Sequence, residues 1–183
     1  MKKLSMDELN RLSPEEFKST QKNKIVIVLD NIRSMHNVGS VFRTADAFAV
    51  EKIILCGITA RPPHRDIEKS ALGATNTVTW EYEENTLTAV EKLKDSGYKV
   101  LAIEQTENST VLQAFEFNYH SAYAIVLGNE VEGVQQEVID ACEGCIEIPQ
   151  FGTKHSFNVS VTTGIVMWQV FTSHLKTKDY DKS

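Results

Sequence analysis

The chain has no apolar run approaching the length of a membrane-spanning helix, and its opening Met1-Lys2-Lys3 leads into Asp, Glu and Asn where a secretion signal would carry an apolar core. A soluble, cytoplasmic protein is therefore expected. Cysteine is scarce: Cys56, Cys142 and Cys145 make an odd set with no export signal, which argues against a disulfide framework. Positive charge is in deficit too. With Lys+Arg at 19 against Asp+Glu at 25, the net charge of −6 opposes a surface that adheres to nucleic acid everywhere, and leaves room only for a local basic patch. Lys2, Lys3, Arg11, Lys18, Lys22 and Lys24 near one end, Arg61 and Arg65 in the middle, and Lys176 and Lys178 near the other end are candidates for it; on composition alone they are equally solvated charges. There is no internal repeat and no low-complexity segment, so solenoid and linker architectures are excluded.

Several chemical signatures are missing as well. No G-x-G-x-x-G follows a predicted strand, so a Rossmann dinucleotide site lacks support. Gly128 and Gly133 have the glycine spacing of a phosphate loop, but Val134 stands where that loop needs lysine, and Glu130 and Glu132 would repel phosphate. Cys142 and Cys145 have C-x-x-C spacing without two further ligands, and His36, His64 and His155 fall on separate loops, so no metal site is expected. His155 alone is placed to line a pocket.

What is present is an alternation of strand-like and helix-like segments over 183 residues, 42% hydrophobic and 24% charged, enough for one α/β domain. Residues 1–24 read as an arm with two short helical pieces, because Ser5 with Glu8 and Ser13-Pro14-Glu15-Glu16 are N-cap patterns. Strands are predicted at Lys24–Asp30, Lys52–Cys56, Tyr98–Ile103, Ala122–Leu127 and Cys145–Ile148, with an extended segment at Thr77–Tyr82. Helices are predicted at Val38–Phe48, Thr86–Ser96, Gln135–Ala141 and from Asn158 to about Lys176, with helical turns at Asp66–Ala71 and Val111–Ala114 and a polar loop over Asn31–Asn37. The domain is placed at 25–177 and a tail at 178–183. This alternation predicts an α/β fold with a mostly parallel sheet and helices on both faces.

Three stretches share a strand-to-helix grammar at strand carboxyl ends, where open α/β sheets bind ligands. They are Asn37-Val38-Gly39-Ser40-Val41-Phe42-Arg43, Leu127-Gly128-Asn129-Glu130-Val131-Glu132-Gly133, and Ile148-Pro149 through Ser156-Phe157-Asn158-Val159-Ser160. One site built from Asn37, Arg43, Glu104, Gly128, Glu130, Ile148, Ser156 and Asn158 follows, with Gly128 letting a ligand approach the backbone. Arg43 falls among apolar neighbours, Val41, Phe42, Ala45, Ala47 and Phe48. It is either an ion-pair partner of Asp46 or Asp30, or a desolvated fork for a phosphate or a developing oxyanion.

At these residues the sequence resembles the SpoU/TrmH family of the SPOUT superfamily, RNA ribose 2′-O-methyltransferases that use S-adenosyl-L-methionine. All three family motifs stand in order from Ile25 to about Phe171; Phe157 replaces the more usual leucine or methionine, and Thr162-Thr163 replace alanines. The resemblance implies a C-terminal deep trefoil knot, which chain-path rules would not have suggested. It implies a cofactor held bent in that knot by positions at Glu104, Gly128, Ile148 and Phe157, with Ser156 and Asn158 beside them. It also implies tRNA or rRNA as substrate and a homodimer with its site at the interface, where Val166, Met167, Val170 and Phe171 would pack. The catalytic set it implies is Asn37, Arg43, Glu130, Ser156 and Asn158. A catalytically idle RNA-binding or ribosome-assembly protein that keeps the fold is the alternative from another class.

Overall fold

The computed structural model describes residues 2–5 and 7–175. Its strands are β1 (Asn23–Asp30), β2 (Val50–Cys56), β3 (Trp80–Glu83), β4 (Lys99–Ile103), β5 (Thr110–Val111), β6 (Tyr123–Leu127) and β7 (Gly144–Glu147). They form one sheet in the order β3-β2-β1-β6-β4-β7-β5, with every pairing parallel. The helices are α1 (Pro14–Ser19), α2 (Met35–Ala47), α3 (Arg65–Ala71), α4 (Thr86–Asp95), α5 (Gln136–Ala141) and α6 (Val159–Leu175).

Strand β1 shows why both faces are covered. Its residues are buried without interruption from Ile25 to Asp30, as a central strand of a parallel sheet requires. Ile25, Ile27 and Leu29 pack with Val41, Phe42 and Ala45 of α2, Ile67 of α3, and Val166, Met167 and Val170 of α6. Val26 and Val28 face the other way, onto Ala89, Val90 and Leu93 of α4 and Val138 of α5. Each such side chain contributes about 1.5–3 kcal/mol when fully buried, so alternation along one strand holds two helical layers.

The end of β1 is a polar hub. Asp30, fully buried, accepts hydrogen bonds from Thr86 Oγ1 (2.6 Å), Asn31 Nδ2 (2.9 Å), Gln135 Nε2 (2.9 Å) and Gln135 N (3.1 Å). A buried carboxylate needs such partners to stay tolerable. Here they fasten the starts of α4 and α5 to the sheet's carboxyl edge.

The structure departs from the sequence reading in places with local causes. Helix α2 starts at Met35, not Val38, because Ser34 is its N-cap and accepts from Asn37 N at 3.3 Å; Asn37 is thereby in the first helical turn and not in a loop. Strand β5 occupies two residues where only a helical turn was expected, and the turn follows it at Leu112–Ala114. Two residues carry too little periodicity to read. Extended structure near β3 begins later than expected, because Ala74–Asn76 form a 3-10 turn first. In the arm, Ser13 and Glu16 make the expected capping box at α1, which buries no residue. Lys176, Lys178 and the 178–183 tail lie outside the described residues.

Candidate functional site

A cleft of about 530 Å³ opens at the carboxyl ends of β4, β6 and β7. Ile103 and Glu104 line it from β4, Leu127 to Gly133 from the segment after β6, and Ile146 to Ile148 from β7. His155, Ser156, Phe157, Asn158 and Val159 close it on the way into α6. Its volume suits a nucleoside-sized ligand. Its charge is one-sided: Glu130, Glu132 and Glu147 line it, Glu104 stands at its floor, and among the described residues no lysine or arginine lines it. Such a wall repels phosphate and favours a ligand carrying positive charge.

Seven of the residues expected from sequence meet in this cleft: Glu104, Gly128, Glu130, Ile148, Ser156, Phe157 and Asn158. Asn37 joins from its rim. Its amide Nδ2 donates to Glu130 Oε1 at 3.0 Å, and its Oδ1 accepts from Asn158 Nδ2 at 3.0 Å. The three sequence motifs are thus tied side chain to side chain through Asn37. Asn158 also caps α6, its Oδ1 accepting from Ser160 N (2.9 Å) and Ser160 Oγ (2.6 Å).

Glu130 is the anchor of α2. Besides the Asn37 amide, it accepts the backbone N–H groups of Arg33 (3.1 Å) and Ser34 (3.1 Å), so a carboxylate sits at the positive end of that helix. Burial pushes the Glu130 carboxyl up, but the hydrogen bonds from Arg33 N–H, the Asn37 amide and Ser34 N–H together outweigh it and leave it below the ordinary glutamate value.

At the cleft's floor, Gly128 has a structural reason beyond the one expected. A side chain at Gly128 would run into the backbone of Gly133 and Val134, so the chain's close pass against itself already requires glycine here. Gly133, at φ 72°, leaves room for the Glu104 carboxylate. That carboxylate accepts from Val134 N (3.1 Å) and Gln105 N (2.9 Å), so the Glu104 side chain braces the loop and its wall position presents backbone to the cleft.

Arg43 is the residue the structure does not bring in. It is exposed, does not line the cleft, and makes no hydrogen bond or ion pair to the described residues. It pairs with neither proposed partner: Asp30 is taken up as above, and Asp46 accepts from Thr77 Oγ1 at 2.5 Å. It is not desolvated within one chain, and its neighbour Ala47 is exposed as well. A second correction concerns α6. Val166, Met167 and Val170 are buried in the chain's own core, and Phe171 lies edge-on to Phe48 with centroids 5.6 Å apart. Among the described side chains of α6, the exposed apolar ones are Val161 and Trp168, 50% and 56% accessible, with half-buried Ile165 on the same stripe.

Sequence reasoning passed over Asn129, which is buried at the centre of the loop after β6. Its Nδ2 donates to Asn31 O (2.7 Å), its Oδ1 accepts from Val131 N (2.8 Å) and Glu132 N (3.3 Å), and its backbone pairs with Gly133 in both directions. An asparagine between a glycine and a second glycine four residues on is a turn signal in its own right. It holds Glu130 at the height of the α2 terminus. His155 lines the cleft, as expected, while His36 and His64 do not. The three cysteines are free; Cys56 is buried, and burial pushes its thiol up to about 12.

A parallel sheet with a carboxylate-walled, nucleoside-sized cleft at its carboxyl edge, closed by the segment entering the last helix, defines an α/β ligand-binding protein, an architecture it shares with solved structures. The TrmH/SpoU tRNA modifying enzyme of A. aeolicus superposes with a TM-score of 0.80 at 24% identity, over 90% of this chain and 82% of that one. An AdoMet-bound rRNA methyltransferase from Sinorhizobium meliloti gives 0.77 at 26% identity, over 90% and 62%. A protein assigned to the TrmH family of tRNA/rRNA methyltransferases in Staphylococcus saprophyticus subsp. saprophyticus is 32% identical over 154 residues, 84% of this chain and 61% of its own length. The chain spans 61% to 64% of the curated relatives it matches. The SpoU rRNA Methylase family matches residues 24–168, and the chain belongs to that family.

Proposed function

We propose that this protein transfers a methyl group from S-adenosyl-L-methionine to a ribose 2′-OH of tRNA or rRNA. The observation that carries the reading is the cleft: Glu130, Glu132 and Glu147, with no lysine or arginine among the described residues, on a nucleoside-sized wall joined through Asn37 to the other two family motifs. The wall fits a cofactor that pairs an adenosine with a cationic sulfur, and a phosphate-bearing cofactor would be repelled there. When bound, S-adenosyl-L-methionine supplies an electrophilic methyl group.

The residues of the chain do the rest. Ile148 and Phe157 give the apolar sides against which a base lies, and positions 104 and 128 offer backbone groups for its edges. Ser156 and Asn158 shape the turn into α6, and the Asn37–Asn158 bond fixes that turn against α2. Methyl transfer needs alignment more than charge stabilisation, so this rigidity is itself catalytic capital. The part of the Arg43 guanidinium is to steady the oxygen as its proton leaves to an RNA phosphate or water. Since Arg43 does not line its own cleft, a second copy delivers it. We take the homodimer to form along the Val161, Ile165 and Trp168 stripe of α6, whose first turn borders the cleft through Val159 and Thr162. The knot belongs to the same reading. It is supported by the path of the chain from β7, past the ends of β4 and β6, to α6 packed in the core shared with α2. Acting on tRNA or rRNA, the protein works in the cytoplasm.

Calorimetric titration with S-adenosyl-L-methionine, followed by transfer of labelled methyl to bulk RNA and nucleoside analysis, tests this. Micromolar binding and label in 2′-O-methylribose are expected. RNA binding with no cofactor binding at millimolar concentration would assign the idle RNA-binding alternative instead.

A further inference from the structure

The arginines of this chain are not used to hold it together. Ion pairs among the described residues employ Lys2, Lys52, Lys69 and Lys92, whereas Arg11, Arg33, Arg43, Arg61 and Arg65 enter none, in a chain of net charge −6. Arg61 is distinguished among them. Its guanidinium lies over the Tyr82 ring, 4.1 Å from the centroid, and makes no hydrogen bond to the described residues. A guanidinium held by its face keeps its planar fork of donors for something else, at little cost in lost freedom.

The pair is built on the same sheet edge as the cleft. Tyr82 sits in register with Leu55 near the carboxyl end of β3, and its hydroxyl donates to Gly57 O at 3.2 Å. Gly57 (φ 58°) has no room for a side chain because Asn31 Oδ1 occupies it, and that same oxygen accepts from Ile58 N at 3.1 Å. Ile58, next in the chain to the Gly57 that Tyr82 bonds, is left 64% exposed. Asn31 in turn accepts from Asn129, the residue that positions Glu130. One asparagine therefore locks the Arg61–Tyr82 loop to the cleft's wall. Three strand spacings, about 15 Å, separate β3 from β6. The nearest carboxylates on β3, Glu81 and Glu83, are already paired with Lys52 and Lys92.

We propose that Arg61 and Tyr82, with Ile58, form a second RNA-docking point that grips a phosphate and the adjoining unpaired base a few nucleotides from the ribose in the cleft. The inference rests on the function proposed above and adds a specificity element to it. Arg61 takes the phosphate as a fork, the exposed edge of Tyr82 and the Ile58 side chain take the base, and the Asn31 link fixes their distance from the reacting hydroxyl.

The test compares the full chain with Arg61→Ala, Arg61→Lys and Tyr82→Ala. Binding of bulk bacterial tRNA and ribosomal RNA is read by fluorescence anisotropy over a salt series, and binding of S-adenosyl-L-methionine by calorimetry. Expected are a 5- to 20-fold loss of RNA affinity in both alanine variants, a salt slope smaller by about 1 in Arg61→Ala, an intermediate loss in Arg61→Lys, and unchanged cofactor affinity. Arg11→Ala should move RNA binding less than twofold. Unaltered RNA affinity and salt slope in Arg61→Ala and Arg61→Lys, with the wild type binding both RNA and cofactor, would overturn the docking point and leave the methyltransferase reading intact. A wild type that binds neither RNA would overturn both. Should Tyr82→Ala fail to fold, Tyr82→Phe keeps the ring and, with Arg61→Lys, decides the matter on the same readouts.

Discussion

At the scale of residues, Glu130 does two jobs with one carboxylate: it terminates α2 and it orients Asn37. Because its folded pKa is depressed, the stability it confers is present above the unfolded value near 4.5 and is lost as pH falls through the lower folded value. Glu130→Gln keeps an acceptor for Ser34 N–H and Asn37 but turns a donor toward Arg33 N–H. The variant should melt a few degrees below wild type at pH 7, the difference shrinking as pH falls through the depressed carboxyl value, in thermal scans from pH 3 to 7; losing one hydrogen bond of this exposed group is worth about 1 kcal/mol at most. A constant difference across that range would mean the carboxylate's charge is irrelevant. Most of the site was legible at this scale because polar side chains at strand ends have few other uses. The hydrogen bonds from Asn37 to both Glu130 and Asn158 were not, since residues 93 and 121 positions apart in sequence are brought together only by the sheet order. The exposure of Arg43 was illegible for a simpler reason: apolar neighbours in sequence occupy other faces of the same helix.

At the scale of elements, the loop after β6 shows glycine used for self-contact. Gly128→Ala would force the Gly133–Val134 backbone away, an overpacking cost of about 1–3 kcal/mol, and would displace Asn129 and Glu130 with it. Calorimetry should record at least tenfold weaker S-adenosyl-L-methionine binding, and the melting temperature should fall by several degrees; wild-type affinity would show that the cofactor does not read this loop. By contrast Asn129→Ala removes the bonds to Asn31 O and to Val131 N without adding volume, so it should weaken cofactor binding and RNA binding together, because Asn31 supports both ends of the edge. The strands themselves were readable from runs such as Ile25 to Leu29, which only a doubly covered parallel sheet buries in full. β5 escaped because its two residues pair solely through β7, a partnership with no local signature.

At the scale of the whole molecule, the homodimer proposed above rests on the exposed stripe on α6 and on the α2 guanidinium that bonds to none of the described residues. Burying Trp168 and Val161 against a second copy removes large apolar side chains from water, and a two-fold axis makes the same contact twice. Trp168→Glu should therefore yield monomers by analytical ultracentrifugation and lose methyl transfer while each chain still binds cofactor in its own cleft. The sharper consequence concerns mixed dimers. Arg43→Ala and Asn158→Ala should each be inactive as homodimers, because every site lacks one group. Co-refolded in equal amounts, they should regain roughly one quarter of wild-type activity: half the dimers are mixed, and in each of those one of two sites draws Arg43 and Asn158 from the unmutated positions of opposite chains. If both groups served a site within one chain, mixing the variants would restore nothing; an Arg43→Ala homodimer that keeps wild-type activity would place the guanidinium outside the chemistry.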